Sequence, residues 1–119
     1  MSKQKILIIE DDILFGEIML RKIKDAGFDA ELVVDGGLGL QKIVEFIPDL
    51  ILLDIWLLGE DGGQIAKLLK QKKETKHIPI IIMSANNETE KITNDAGAND
   101  FLLKPFNIDD LLYVVKKHI

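Results

Sequence analysis

Cysteine is absent from the 119 residues, which removes disulfides, thiolate metal sites and cysteine nucleophiles at once. Long apolar runs are absent too: none approaches the roughly 20 residues that a bilayer-spanning helix needs. The opening "MSKQKILIIEDD" reaches acids after only a few apolar residues, so it does not read as a signal peptide. These absences lead to the expectation of a soluble, cytoplasmic protein with no membrane partner. Bases are in the minority, 15 against 20 acids, for a net charge of -5. That balance favours solubility and disfavours polyanions, so no direct contact with nucleic acid is expected. There is no linker, internal repeat or low-complexity tract. What is present is 47% hydrophobic residues, enough for one well-buried core and too few for two. The expectation is a single domain over 1–119, with no output domain in this chain.

Two kinds of segment alternate. Short β-branched or aliphatic runs occur at "KILII" (5–9), "AELVV" (30–34), "LILLD" (50–54), "IPIIIM" (78–83) and "DFLLK" (100–104). Several are almost continuously apolar, as strands covered on both faces are. Between them the apolar residues adopt helical spacing. Phe15, Ile18, Met19, Ile23 and Ala26 form one stripe of a helix that ends at Gly27. Ile65, Leu68 and Leu69 form another, and Ile108, Leu111, Leu112, Val115 and Ile119 a third. Asn107 is placed to cap the last helix, with Asp109 and Asp110 in its first turn and Lys116 and Lys117 in its last. A helix over about 36–46 carries Gly36, Gly37 and Gly39, so its first turn is expected to fray. A short helix around 88–96 is required mainly as a crossover between parallel strands. Strands alternating with helices predict an α/β fold with a five-stranded parallel sheet covered on both faces.

In such a sheet, function gathers beyond the carboxyl ends of the strands. The first strand delivers Glu10, Asp11 and Asp12 there, the third Asp54, the fourth Ser84, and the fifth Lys104 followed by Pro105. If the first and third strands are neighbours, Glu10, Asp11 and Asp54 crowd together, and their repulsion calls for positive charge. Carboxylates without histidine or cysteine suit Mg²⁺. Lysine and a hydroxyl at the same edge suit a tetrahedral anion, and a carboxylate between metal and lysine is arranged to accept a phosphoryl group. Plainer readings stand beside these: Asp11 or Asp12 as a helix cap, Asp61-Gly62-Gly63 as a turn, Ser84 as a cap, and Lys104-Pro105 as a strand-to-helix turn.

The stretches "ILIIEDD" (6–12), "DLILLDIWLLGEDGG" (49–63), "IPIIIMSAN" (78–86) and "GANDFLLKPF" (97–106) resemble the receiver domain of two-component response regulators, over residues 5–118. The resemblance implies a flavodoxin-like (βα)5 fold, a doubly wound sheet of strand order 2-1-3-4-5. It makes Asp54 the phosphoacceptor and gives Mg²⁺ to Glu10, Asp11, Asp54 and the backbone carbonyl of Trp56. Ser84 matches the switch hydroxyl, Lys104 the family's lysine with a cis bond to Pro105, and Phe101 the switching aromatic. Three departures stand out. Leu58 occupies the position where the family usually has proline. Phe101 carries no hydroxyl. Trp56 puts an indole two residues after Asp54, where it is expected to shield an acyl phosphate from water or else to face solvent or a partner.

The resemblance further implies a phosphoryl donor, a histidine kinase or histidine phosphotransfer protein, docked beside Asp54, with Ile13 and Leu14 as the expected contacts. Output is expected through the fourth helix, fifth strand and fifth helix to an unnamed downstream protein, with a phosphorylation-dependent homodimer left open. On the last helix, Asp110, Tyr113, Val114 and Lys117 form a small outer patch. The expected activity is self-phosphorylation and self-dephosphorylation with no external metabolite. The alternative is a phosphorylation-independent interaction module of the same fold. A phosphatase would need a D-x-D after the first strand, which "EDDILF" lacks, and "GGLGLQ" is no dinucleotide fingerprint.

Overall fold

The computed structural model describes residues 3–57 and 60–119. In chain order these form β1 (Lys5–Ile9), α1 (Ile13–Asp25), β2 (Asp29–Val33), α2 (Gly36–Phe46), β3 (Leu50–Asp54), the two-residue strands β4 (Trp56–Leu57) and β5 (Glu60–Asp61), α3 (Gly62–Gln71), β6 (Ile80–Ser84), α4 (Thr89–Ala96), β7 (Asp100–Leu103) and α5 (Ile108–His118). The main sheet is parallel throughout, in the order β2-β1-β3-β6-β7. Counting only its own strands, this is the expected 2-1-3-4-5.

Alternation along each strand explains why the apolar runs are continuous. Leu7, Ile9, Ile51, Leu53, Ile80 and Ile82 face one way, onto Ile43 of α2, Ile65 and Leu69 of α3 and Ala96 of α4. Ile6, Ile8, Leu50, Leu52, Ile81 and Met83 face the other way, onto Met19 and Ile23 of α1 and Leu111 and Val115 of α5. The sheet is therefore the shared floor of two apolar layers, and its carboxyl edge is left for polar residues.

Several local expectations change in three dimensions. The buried line of α1 runs through Gly16, Met19 and Ile23, with Phe15 and Leu20 half-buried, while Ile18 and Ala26 face solvent. The first turn of α2 is formed, because Asp35 caps it by accepting the Leu38 N–H at 2.7 Å. Gly39 lies against β1 so closely that a Cβ there would come within 2.6 Å of Ile9 Cδ1. The glycines of α2 thus serve packing at the expense of helix propensity. In α3, Leu68 is exposed while Ile65, Ala66 and Leu69 carry the contact with the sheet.

The segment after β3 holds an antiparallel pair that the sequence did not announce, Trp56 opposite Asp61 and Leu57 opposite Glu60. Leu58 lies outside the described residues. Asp61-Gly62-Gly63 is more than a turn: Asp61 caps α3 by accepting the Gly63 N–H at 2.8 Å. Gly62 donates its N–H to the Ile55 carbonyl at 2.6 Å. A Cβ on Gly62 would sit 2.2 Å from the Asp54 carbonyl oxygen and 2.8 Å from Ile55 Cα. This close backbone approach, which only glycine allows, clamps the end of β3 under the start of α3.

Two outcomes are expected. Gly62→Ala forces those backbones apart and costs about 1–3 kcal/mol, read as a lower urea midpoint at unchanged m-value. Ile47 closes α2 at φ 52°, the only positive-φ non-glycine among the described residues. Ile47→Gly relieves a β-branched side chain there and raises stability by about 1 kcal/mol in the same assay, since the steric relief exceeds the added chain entropy.

Candidate functional site

The sheet order makes β1 and β3 neighbours, and β6 and β7 follow on the same side. Glu10 continues the ladder past β1, its N–H donating to the Val33 carbonyl at 3.0 Å. Its carboxylate is fully buried, and Asp54, the last residue of β3, is nearly so. Asp12 caps α1 by accepting the Phe15 N–H at 3.1 Å. That capping leaves Asp11 free to face the same edge. Glu10, Asp11 and Asp54 each offer an oxygen within 4.8 Å of the other two.

Lys104 reaches this cluster from the end of β7. Its N–H donates to the Ser84 carbonyl at 2.8 Å, extending the pairing with β6 beyond the strand. Its ammonium lies 2.8 Å from Glu10 Oε1 and 3.5 Å from Asp54 Oδ2. It also sits 4.9 Å from the centroid of the Phe15 ring, which meets Phe106 edge-on at 5.5 Å. The Lys104–Pro105 bond is cis. Burial pushes the Glu10 carboxyl above its ordinary range, and the adjacent Asp54 adds to this while Lys104 opposes it. Burial alone would lower the Lys104 ammonium, but Glu10 and Asp54 outweigh it and hold the group above its ordinary value.

Ser84 ends β6, buried, with its Oγ accepting the Asn86 N–H at 2.9 Å. It therefore serves the turn after β6, at the same carboxyl edge of the sheet as the acid cluster. Phe101, in β7, is half-buried against the α2–α4 layer. Trp56 is 59% exposed and borders a groove with Gln64 and Lys67 of α3 and Ile92 and Asp95 of α4. Ile13 and Leu14 stand out beside the acids at 62% and 75% exposure. The outer patch read on α5 is smaller than expected: Val114 is buried and Tyr113 remains the exposed apolar group.

Sequence reasoning missed three contributors. Phe15 was read only as a core residue, yet its ring flanks the Lys104 ammonium. Asn86 anchors Ser84, and Gly62 fixes the backbone of Asp54. The glycine pair was the one visible signal.

Chemically, three crowded carboxylates against one ammonium leave an excess of negative charge in a partly dry site. Their hard oxygen donors, with no nitrogen or sulfur among them, fit a divalent cation of the Mg²⁺ kind. Among the described residues no helix is long and apolar enough to cross a membrane.

Comparison with known proteins agrees with this geometry. The family model for the response regulator receiver domain matches residues 6–116. The DNA-binding dual master transcriptional regulator RpaA of Synechocystis is 35% identical over 114 residues, covering 94% of this chain and 47% of that protein. The DNA-binding response regulator MtrA of Mycobacterium tuberculosis is 29% identical over 119 residues, covering 98% and 51%. The chain thus spans about half the length of the curated relatives it matches. A putative response regulator from Chloroflexus aurantiacus superposes with TM-score 0.92 at 31% identity, covering 98% of this chain and 97% of that one. The receiver domain of a Pseudomonas aeruginosa sensor histidine kinase, solved with magnesium in its active-site cleft, gives 0.88 at 26%, covering 98% of each.

These relatives correct the expectation about nucleic acid. RpaA and MtrA are DNA-binding proteins, and a net charge summed over 119 residues does not decide what proteins twice as long contact. The chain belongs to the response regulator receiver domains of two-component signalling.

Proposed function

We propose that the chain is a phosphoryl-accepting switch in which Asp54 takes a phosphoryl group from a phosphohistidine donor. The observation that carries this reading is the convergence of Glu10, Asp11, Asp54 and Lys104 on one edge of the sheet. An Asp54 carboxylate oxygen attacks phosphorus, the phosphorus–nitrogen bond of the donor breaks, and the imidazole leaves with the electron pair. Lys104 holds a phosphoryl oxygen, moving part of its charge from the carboxylates to the incoming group. The Ser84 hydroxyl, whose oxygen is anchored by Asn86, keeps its proton available for another phosphoryl oxygen. Glu10, Asp11, Asp54 and the Trp56 carbonyl would hold Mg²⁺, which when bound supplies positive charge to the carboxylates and the phosphoryl oxygens.

The donor docks beside the exposed Ile13 and Leu14. Movement of Ser84 toward the phosphoryl group opens space beside β7, and Phe101 turns into it, repacking the α4–β7–α5 surface. Such a shift needs only a few kcal/mol of difference between two packings. The names of RpaA and MtrA suggest that the signal ends on DNA.

Incubation with Mg²⁺ and a small acyl phosphate is expected to add one phosphoryl group to the intact mass, and none to Asp54→Asn. If neither protein gains mass while the Trp56 fluorescence reports Mg²⁺ binding, the chain is an interaction module that does not use phosphate. The exposed indole of Trp56 is proposed to cover the acyl phosphate. Trp56→Asn then shortens the phosphoryl lifetime severalfold, and an unchanged lifetime assigns the indole to solvent or a partner.

A further inference from the structure

The net charge of -5 conceals a strong asymmetry. Residues 67–77, "KLLKQKKETKH", hold five of the 15 bases and one of the 20 acids. The segment therefore carries +4, while ten bases against 19 acids elsewhere leave -9. It comprises the second half of α3 and the loop into β6. Lys72, Lys73 and Lys76 lie past the end of α3 at the amino edge of the parallel sheet, opposite Asp54, whereas Lys67 borders the groove beside Trp56. Five-residue strands separate the two edges, roughly 16 Å, which exceeds the screening length of about 10 Å at 0.1 M salt. The acids of the phosphoacceptor site therefore hardly oppose an anion here.

The loop is a built platform. Thr75 and Lys76 donate their N–H groups to the Lys72 carbonyl at 3.2 and 2.8 Å, and Ile78 donates to the Thr75 carbonyl at 3.0 Å. The Thr75 hydroxyl donates to the Leu69 carbonyl at 2.6 Å. The Lys70 ammonium is consumed internally, donating to the Lys76 and Ile78 carbonyls at 3.1 and 2.8 Å. Lys67, Lys72, Lys73 and Lys76 are exposed, and among the described residues none of them makes a salt bridge. Of the acids around the segment, Asp49 accepts the Lys5 N–H, Asp100 is held by Lys117 and His118, and Asp95 pairs with Lys91, which leaves the exposed Glu74 as the acid within it.

We propose that Lys72, Lys73 and Lys76 form a second binding surface, one that contacts the phosphate backbone of duplex DNA without reading its sequence. A protein partner is the poorer fit. The segment has no aromatic residue and no arginine, and Leu68 is its one exposed large apolar side chain. Protein interfaces are depleted in lysine and draw their affinity from buried aromatic and arginine anchors. Point charges on flexible stems carried by a fixed backbone suit phosphates, whose recognition is electrostatic and insensitive to sequence. The surface is independent of the phosphoryl chemistry at the opposite edge.

The test is fluorescence anisotropy with labelled 20-base-pair duplexes of two unrelated sequences, titrated at several salt concentrations. Three phosphate contacts predict a slope of log K on log salt of about -2.7, equal for both sequences. The variant Lys72→Gln/Lys73→Gln/Lys76→Gln is expected to bind at least tenfold more weakly at low salt, with the slope falling toward zero. Its phosphoryl uptake from acyl phosphate should equal that of wild type, which separates a failure here from a failure of the switch reading. No binding by wild type at 20 mM salt, or an unchanged slope in the variant, overturns the proposal. Equal affinity for polyglutamate or for anionic lipid vesicles overturns it too, and assigns the surface to an acidic protein or to a membrane.

Discussion

Repulsion among Glu10, Asp11 and Asp54 is the constraint around which the carboxyl edge is organised. Two of these carboxylates are buried, where water screens them poorly, and burial with the adjacent Asp54 pushes the Glu10 carboxyl up. Lys104 offsets part of that cost from β7, ninety-four residues away in sequence from Glu10, so the edge holds together only when four strands are in register. The remaining negative charge is what fits a divalent cation and makes the site receptive to an anion that brings its own counter-charge. Under the proposed function, a phosphoryl group on Asp54 would change what Lys104 and Ser84 are attracted to.

The two apolar layers supply the rigidity that the site requires. The three central strands β1, β3 and β6, buried on both faces, leave their ends as the places where their polar side chains project without crossing the core. The backbone at Asp54 is held further by Gly62, whose missing side chain lets α3 start directly against β3. The elements that would move are less constrained: Phe101 is half-buried, and β7 is the edge strand of the sheet. Rigid acid cluster and adjustable edge strand are therefore neighbours by construction.

Charge is sorted along the same axis. Helices in a parallel α/β fold all run back toward the amino edge, so lysines in last turns collect there, as Lys70, Lys116 and Lys117 do. The acids that begin helices or end strands collect at the other edge. The lysines beyond the end of α3 exceed what a helix terminus requires, and so they form a surface that a single net-charge figure hides.

How much of this was legible in advance differs by element. The strands at 5–9 and 50–54 and the bounds of α2 were readable because apolar continuity and turn residues are local signals, and the carboxyl-edge placement of Glu10, Asp54, Ser84 and Lys104 followed from position in each run. The orientation of α1 was not, because Ile18 and Leu20 are equally apolar and only packing on β2 and α5 decides which faces inward. The first turn of α2 looked weak by propensity, and the cap from Asp35 with the contact between Gly39 and Ile9 reversed that. The sequence by itself determined which acidic, hydroxyl and lysine side chains stand at the carboxyl edge, since that depends on side-chain type and on distance from a strand end. Only the tertiary structure decided that Lys104 bridges Glu10 and Asp54, that Phe15 flanks it, and that Gly62 clamps β3, because each of these joins segments far apart in the chain through contacts that no local pattern encodes.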